Sequence, residues 1–135
     1  MRRSFGRNLE SLDGIFSFAG EFGSEAGMDD SDSYFLNLTL EELFTSLVRL
    51  SPAGSDIEIE ILLDSGLLTI HLTDRTIEAF DGTLFDDVDT GTPLMQRQPG
   101  VLGIQLVKKM ADVLEYEFEE GTLVVTARKR LEDEC

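Results

Sequence analysis

Basic residues are scarce in this sequence, cysteine and histidine scarcer still, and long apolar runs are missing altogether. Eleven Lys and Arg stand against 27 Asp and Glu, a formal net charge of -16. A surface of that sign repels phosphate backbones and anionic lipid headgroups, which excludes a general nucleic-acid or membrane-surface binder and leaves room for a protein partner with a basic face. The one cysteine is Cys135. No disulfide can form within the chain and no cysteine metal cluster is possible, which fits a reducing compartment. His71 is the one histidine; a multi-histidine metal site is excluded, and without an adjacent nucleophile it reads as a structural or surface residue. No apolar run reaches membrane-spanning length, and Met1-Arg2-Arg3-Ser4 leads into polar and glycine residues, so the expectation is a soluble, cytoplasmic protein.

What is present suffices for one core. A chain of 135 residues with 41% hydrophobic content predicts a single domain over 1–135. Arg2 to Arg7 reads as a short edge strand, with Asn8 as the N-cap of a helix carrying Leu9, Leu12, Phe16 and Ala19 at helical spacing. Gly23 to Asp32 reads as a connecting loop that supplies Ser31 or Asp32 as the next cap. From Ser33, the residues Leu36, Leu40, Leu43, Leu47 and Leu50 alternate steps of four and three, which predicts a core helix. The period then changes to two: Ile57, Ile59 and Ile61 alternate with Glu58 and Glu60, and Asp64-Ser65-Gly66 turns into a second strand over Leu67 to Thr73. Glu78 to Gln98 has no sustained periodicity and lacks the carboxylate pattern of an EF-hand. A helix follows Gly100 to about Val113, and a last hairpin turns at Glu120-Gly121. Arg128, Lys129 and Arg130 read as an exposed basic patch, and Leu131 to Cys135 as a flexible tail. Helices and antiparallel strands in this order predict a two-layer α/β (α+β) sandwich, with a mixed, mainly antiparallel sheet covered on one face by helices.

Three places carry candidate chemistry. Glu42 and Ser46 lie four residues apart on one face of the leucine helix, beside the core stripe; together they can orient a water or ligate a cation, or form an ordinary helix surface. Asp74 closes a strand, where an acidic side chain can accept hydrogen bonds from an amino group such as a purine carries. Pro99 to Met110 is a glycine-bearing turn running into a helix. Gly100 and Gly103 bring backbone N–H groups to a helix N-terminus suited to phosphate, or merely pack a loop-to-helix junction.

In sequence order, Leu-Glu-Glu-Leu-Phe-Thr-Ser (40–46), Leu-Thr-Asp (72–74) and Gly-Val-Leu-Gly-Ile-Gln-Leu-Val (100–107) resemble the motifs of the GHKL ATPase and kinase superfamily with its Bergerat fold. The nearest likeness is to the anti-sigma-factor serine/threonine kinase branch. The resemblance implies a cytoplasmic ATP-binding kinase acting on an anti-sigma-factor antagonist, with a sigma factor, that antagonist, or both as partners and a homodimer as a frequent state. It implies Glu42 as general base, Asp74 and Thr76 at the adenine, Gly100, Val101, Leu102 and Gly103 at the phosphates, Ser46 at Mg2+, and 78–100 as an ATP lid. Two positions depart from the pattern: Ser46 stands in place of an asparagine, and Thr76 in place of a glycine. The alternative is a degenerate kinase-like module that holds a protein partner without catalysis.

Overall fold

The computed structural model describes residues 1–50, 54–76 and 101–131, the side chains of 101 and 102 excepted. The chain runs β1 (Arg2–Phe5), a 3-10 turn (Leu9–Ser11), α1 (Leu12–Ala26), α2 (Asp30–Leu50), β2 (Ile57–Asp64), β3 (Leu67–Asp74), α3 (Val101–Met110), β4 (Val113–Glu119) and β5 (Thr122–Arg130). The five strands form one sheet in the order β1-β2-β3-β5-β4, and every described pairing is antiparallel. The expected sandwich is present, and among the described strands its sheet is antiparallel. Among the described residues no helix is long and apolar enough to cross a membrane.

Period-two alternation puts Ile57, Ile59 and Ile61 of β2, Leu68, Ile70 and Leu72 of β3, and Leu123, Val125 and Ala127 of β5 into one core, all fully buried. The helices answer with Ile15, Phe18, Ala19 and Phe22 of α1, Phe35, Leu36, Leu40, Leu43, Phe44 and Leu47 of α2, and Ile104 of α3. His71 falls on the opposite sheet face. Its Nδ1 lies 2.8 Å from Thr126 Oγ1 across the β3–β5 pair, a cross-strand contact remote from the helices.

Four local readings change. The loop expected over 23–32 shrinks to three residues: α1 ends on Gly27 in the left-handed region, and α2 is capped by Asp29, whose Oδ1 accepts from the Asp32 N–H at 2.8 Å. Leu50, counted in the leucine stripe, is 42% exposed because the helix ends there. Leu131, expected in the tail, is buried and donates its N–H to the Gly66 carbonyl at 2.8 Å; 132–135 lie outside the described residues. The basic triplet is no patch, since neighbours in a strand point to opposite faces. Arg128 pairs with Glu115 at 2.7 Å and Arg130 donates to the Ser65 carbonyl. Lys129 turns to the helix side, where its Nζ donates to the Met110 carbonyl at the end of α3 and sits 5.5 Å from the Phe35 ring centroid. A cation there satisfies a free helix-end carbonyl and complements the dipole.

Because α2 reaches the sheet through its leucines, Leu40→Ala removes a fully buried side chain. It is expected to lower unfolding free energy by about 2–5 kcal/mol, read as a shift of the urea midpoint.

Candidate functional site

β3 carries its even-numbered residues inward, so Asp74 follows Leu68, Ile70 and Leu72 into the core layer. A carboxylate placed there by strand parity requires compensation. Arg7, just beyond β1, supplies it. The two side chains are 2% and 0% exposed, with Arg7 Nη2 2.5 Å from Asp74 Oδ1. The remaining guanidinium donors go to the Ser55 carbonyl from Nε at 3.0 Å, the Leu47 carbonyl from Nη1 at 3.1 Å and Thr76 Oγ1 from Nη2 at 3.1 Å. Thr76 completes the arrangement. Its N–H and hydroxyl both donate to Asp74 Oδ1, at 3.1 and 2.9 Å, and its oxygen also accepts from the Ser55 N–H at 3.2 Å. One donor and two lone pairs are thereby used, so the Thr76 hydroxyl is saturated. A Cβ on Gly54 would collide with Thr76 Oγ1 and Arg7 Nε, so only glycine lets the chain close over this cluster.

All the donors converge on Oδ1. Asp74 Oδ2 is buried and has no hydrogen-bond partner among the described residues. A buried acceptor in that state costs about 1–3 kcal/mol until a donor reaches it.

The second half of the site lies on α2. Thr39, Glu42 and Ser46 follow at i, i+3 and i+7, one stripe of the helix. Thr39 and Ser46 are buried, and both hydroxyl oxygens lack partners among the described residues. Glu42 lies between them, half-buried, and meets α3. A Cβ on Gly103 would fall on the Glu42 carboxylate. Gly103 therefore serves the site by admitting Glu42 to the first turn of α3, where backbone N–H groups have no partner within the helix. Burial raises the Glu42 carboxyl above its ordinary 4.5, Glu41 adds to the rise and Arg49 opposes it.

Thus the residues expected to act together form two groups, Asp74 with Thr76 and Glu42 with Ser46 and Gly103. Gly100 and the 78–100 segment lie outside the described residues, as do the side chains of Val101 and Leu102. Sequence reasoning missed Arg7 and Thr39. The signal for Thr39 was present, a polar residue in register with Glu42 and Ser46. For Arg7 there was none, because its partner is 67 residues away.

A model of the histidine kinase-like ATPase domain matches residues 5–129. The chain belongs to that family. The matched span contains both groups of the site, and membership carries nucleotide binding as the property of an ATPase domain. No curated protein matches the sequence. Among solved structures, a crystal structure of the RsbU and RsbW domains of Rv1364c from Mycobacterium tuberculosis is similar in fold, with a TM-score of 0.70 at 14% identity. The match covers 97% of this chain and 32% of that one, so the histidine kinase-like chain spans a minor part of that protein's length.

Two tests follow from the buried pair and the carboxylate. Arg7→Met leaves Asp74 uncompensated and should cost about 3–5 kcal/mol in denaturant unfolding, most of it recovered when Asp74→Asn is added. A raised folded-state value for Glu42 means folding disfavours its ionised form, so its contribution falls as pH rises from 4.5 through that value. Glu42→Gln should therefore be at least as stable as the parent at neutral pH. The gap should close once the solution is acid enough to protonate Glu42 in both states, as denaturation midpoints across the pH range would read.

Proposed function

We propose that this domain binds ATP with Mg2+ between the end of β3 and the α2–α3 contact, and is a cytoplasmic anti-sigma regulatory factor. Its reaction is phosphoryl transfer to a serine or threonine of an anti-sigma-factor antagonist. The observation that carries this reading is the buried Oδ2 of Asp74, unpartnered among the described residues, an acceptor that lacks a donor of the kind an exocyclic amino group carries, on the same chain as a half-buried glutamate held against a helix start.

The residues fit the ligand at three points. At the base, Asp74 offers one open acceptor and Thr76 holds it in place. At the phosphates, α3 starts at Val101, with Leu102 and Gly103 in its first turn, and the first N–H groups and dipole of a helix favour anions; Gly100 precedes it in sequence as the remaining residue of the phosphate motif. At the metal, Ser46 Oγ is a buried oxygen on the Glu42 face, without a partner among the described residues. Magnesium takes few protein oxygens and completes its shell from phosphate and water.

Bound nucleotide supplies the activated phosphoryl group. The protein contributes position and proton transfer. Glu42 accepts the proton of the attacking hydroxyl, and its raised value brings it nearer the operating pH than a solvated glutamate would be. Asp74 fixes the base, which sets the distance between Glu42 and the phosphate end. The acidic surface, at a formal charge of -16, suits a protein partner with a basic face and not nucleic acid. A homodimer accords with the branch resemblance.

One observation favours a second reading, a partner-holding module without catalysis. Thr76 stands where the family pattern has glycine, and its hydroxyl is already saturated by Arg7, Ser55 and Asp74.

Thermal melts decide between them. ATP with magnesium should raise the melting temperature, by an amount worth about 2.7 kcal/mol at a hundredfold excess over Kd. No shift at millimolar nucleotide with folded protein would sink the ATP reading. Glu42→Gln should keep the shift and lose about 10²–10⁴-fold in phosphoryl transfer. Partner capture that persists without nucleotide and in Glu42→Ala would mark the binding module.

A further inference from the structure

Asp74 is an asymmetric reader. Its two oxygens are chemically equal in solution, but the fold gives them opposite fates. Oδ1 lies against the Arg7 guanidinium at 2.5 Å and accepts both the N–H and the hydroxyl of Thr76. Oδ2 is buried with no partner among the described residues. The carboxylate cannot exchange the two positions without breaking a buried ion pair and two hydrogen bonds. Arg7 is itself fixed by the Leu47 and Ser55 carbonyls, so the cradle is anchored to the end of α2 and to the segment before β2.

We propose that Arg7, with Thr76, is the positioning residue that sets base selectivity: it pins Oδ1 so that the site presents a single acceptor, and the site therefore takes a 6-amino purine and rejects a 6-oxo purine. This rests on the nucleotide reading above and extends it to a residue outside the three motifs. A 6-amino group donates to Oδ2 and relieves the unsatisfied acceptor. A 6-oxo group sets acceptor against acceptor, and a buried site built for a hydrogen bond discriminates strongly against a group that cannot make it.

The cradle makes a sharper demand on Asp74→Asn. The Thr76 N–H and hydroxyl donate to the Oδ1 position and the Arg7 cation lies against it, so an amide must put its oxygen there and its NH2 where Oδ2 now stands. The open position then changes from acceptor to donor, and the purine preference inverts. With Arg7 also removed, the charged donor that holds the amide in that orientation is gone, and the inversion weakens. A residue that only stabilised the fold would change the affinity for both bases alike and leave their ratio unmoved.

The experiment is a calorimetric titration of ATP and ITP with magnesium, repeated with adenosine and inosine so that the base is read without the phosphate end. It uses the parent chain, Asp74→Asn, and Arg7→Met combined with Asp74→Asn, the last chosen because it removes both charges of the buried pair together; circular dichroism confirms folding. The parent should favour ATP over ITP, and adenosine over inosine, by about 10-fold or more. Asp74→Asn should favour the 6-oxo partner, and the double variant should lose at least about 3-fold of that inverted ratio. Parent binding with a clear ATP preference, but no inversion in Asp74→Asn or an unchanged ratio in the double variant, overturns the role of Arg7 and leaves ATP binding standing. No binding of any of the four probes by the parent overturns both. Should the double variant be unfolded, Arg7→Lys with Asp74→Asn replaces it; retention of a charged donor predicts that the inversion survives there, and its loss overturns the proposal.

Discussion

The ion pair between Arg7 and Asp74 is the constraint on which the site depends. Strand parity forces Asp74 inward with Leu68, Ile70 and Leu72, and a lone carboxylate in that layer would be untenable. One guanidinium resolves this while also binding the Leu47 and Ser55 carbonyls and the Thr76 hydroxyl. The turn after β1, the end of α2, the approach to β2 and the end of β3 are thereby tied to one planar group. Arginine suits the task because its fork distributes several donors in fixed directions, which an ammonium does not.

The same economy governs the other half of the site. α2 is a core helix whose leucine and phenylalanine face anchors it on the sheet. The Thr39, Glu42 and Ser46 stripe runs along the border of that face, so the packing that holds the helix also fixes the glutamate. α3 approaches closely enough only because residue 103 has no side chain. Burial at this contact raises the Glu42 carboxyl, which links helix packing directly to its proton affinity. Hydroxyls left without partners on either side of Glu42 are polar groups whose burial is unrewarded by the protein alone.

Much of this was legible in the sequence. The leucine spacing of α2, the isoleucine alternation of β2 and the Ser65-Gly66 and Glu120-Gly121 turns, with positive φ at all four residues, are local signals with local causes. The candidate residues Glu42, Ser46, Asp74 and Gly103 were legible because their types recur in an ordered pattern. The basic triplet at 128–130 shows the limit of such reading. As a run of charge it suggested one patch, but a strand sends its neighbours to opposite faces, and the structure gives the three side chains three separate tasks.

The sequence by itself determined the periodicities, and through them the sheet, the core and the inward placement of Asp74, because each is a property of residues within a few positions of one another. Only the tertiary structure decided what Asp74 would meet there. Arg7 is an unremarkable basic residue after an edge strand until β1 pairs with β2 and β2 with β3; a contact across 67 residues leaves no trace in local pattern. It likewise decided that Gly103 makes room for Glu42, since a missing side chain acquires meaning only from the atom that fills its place.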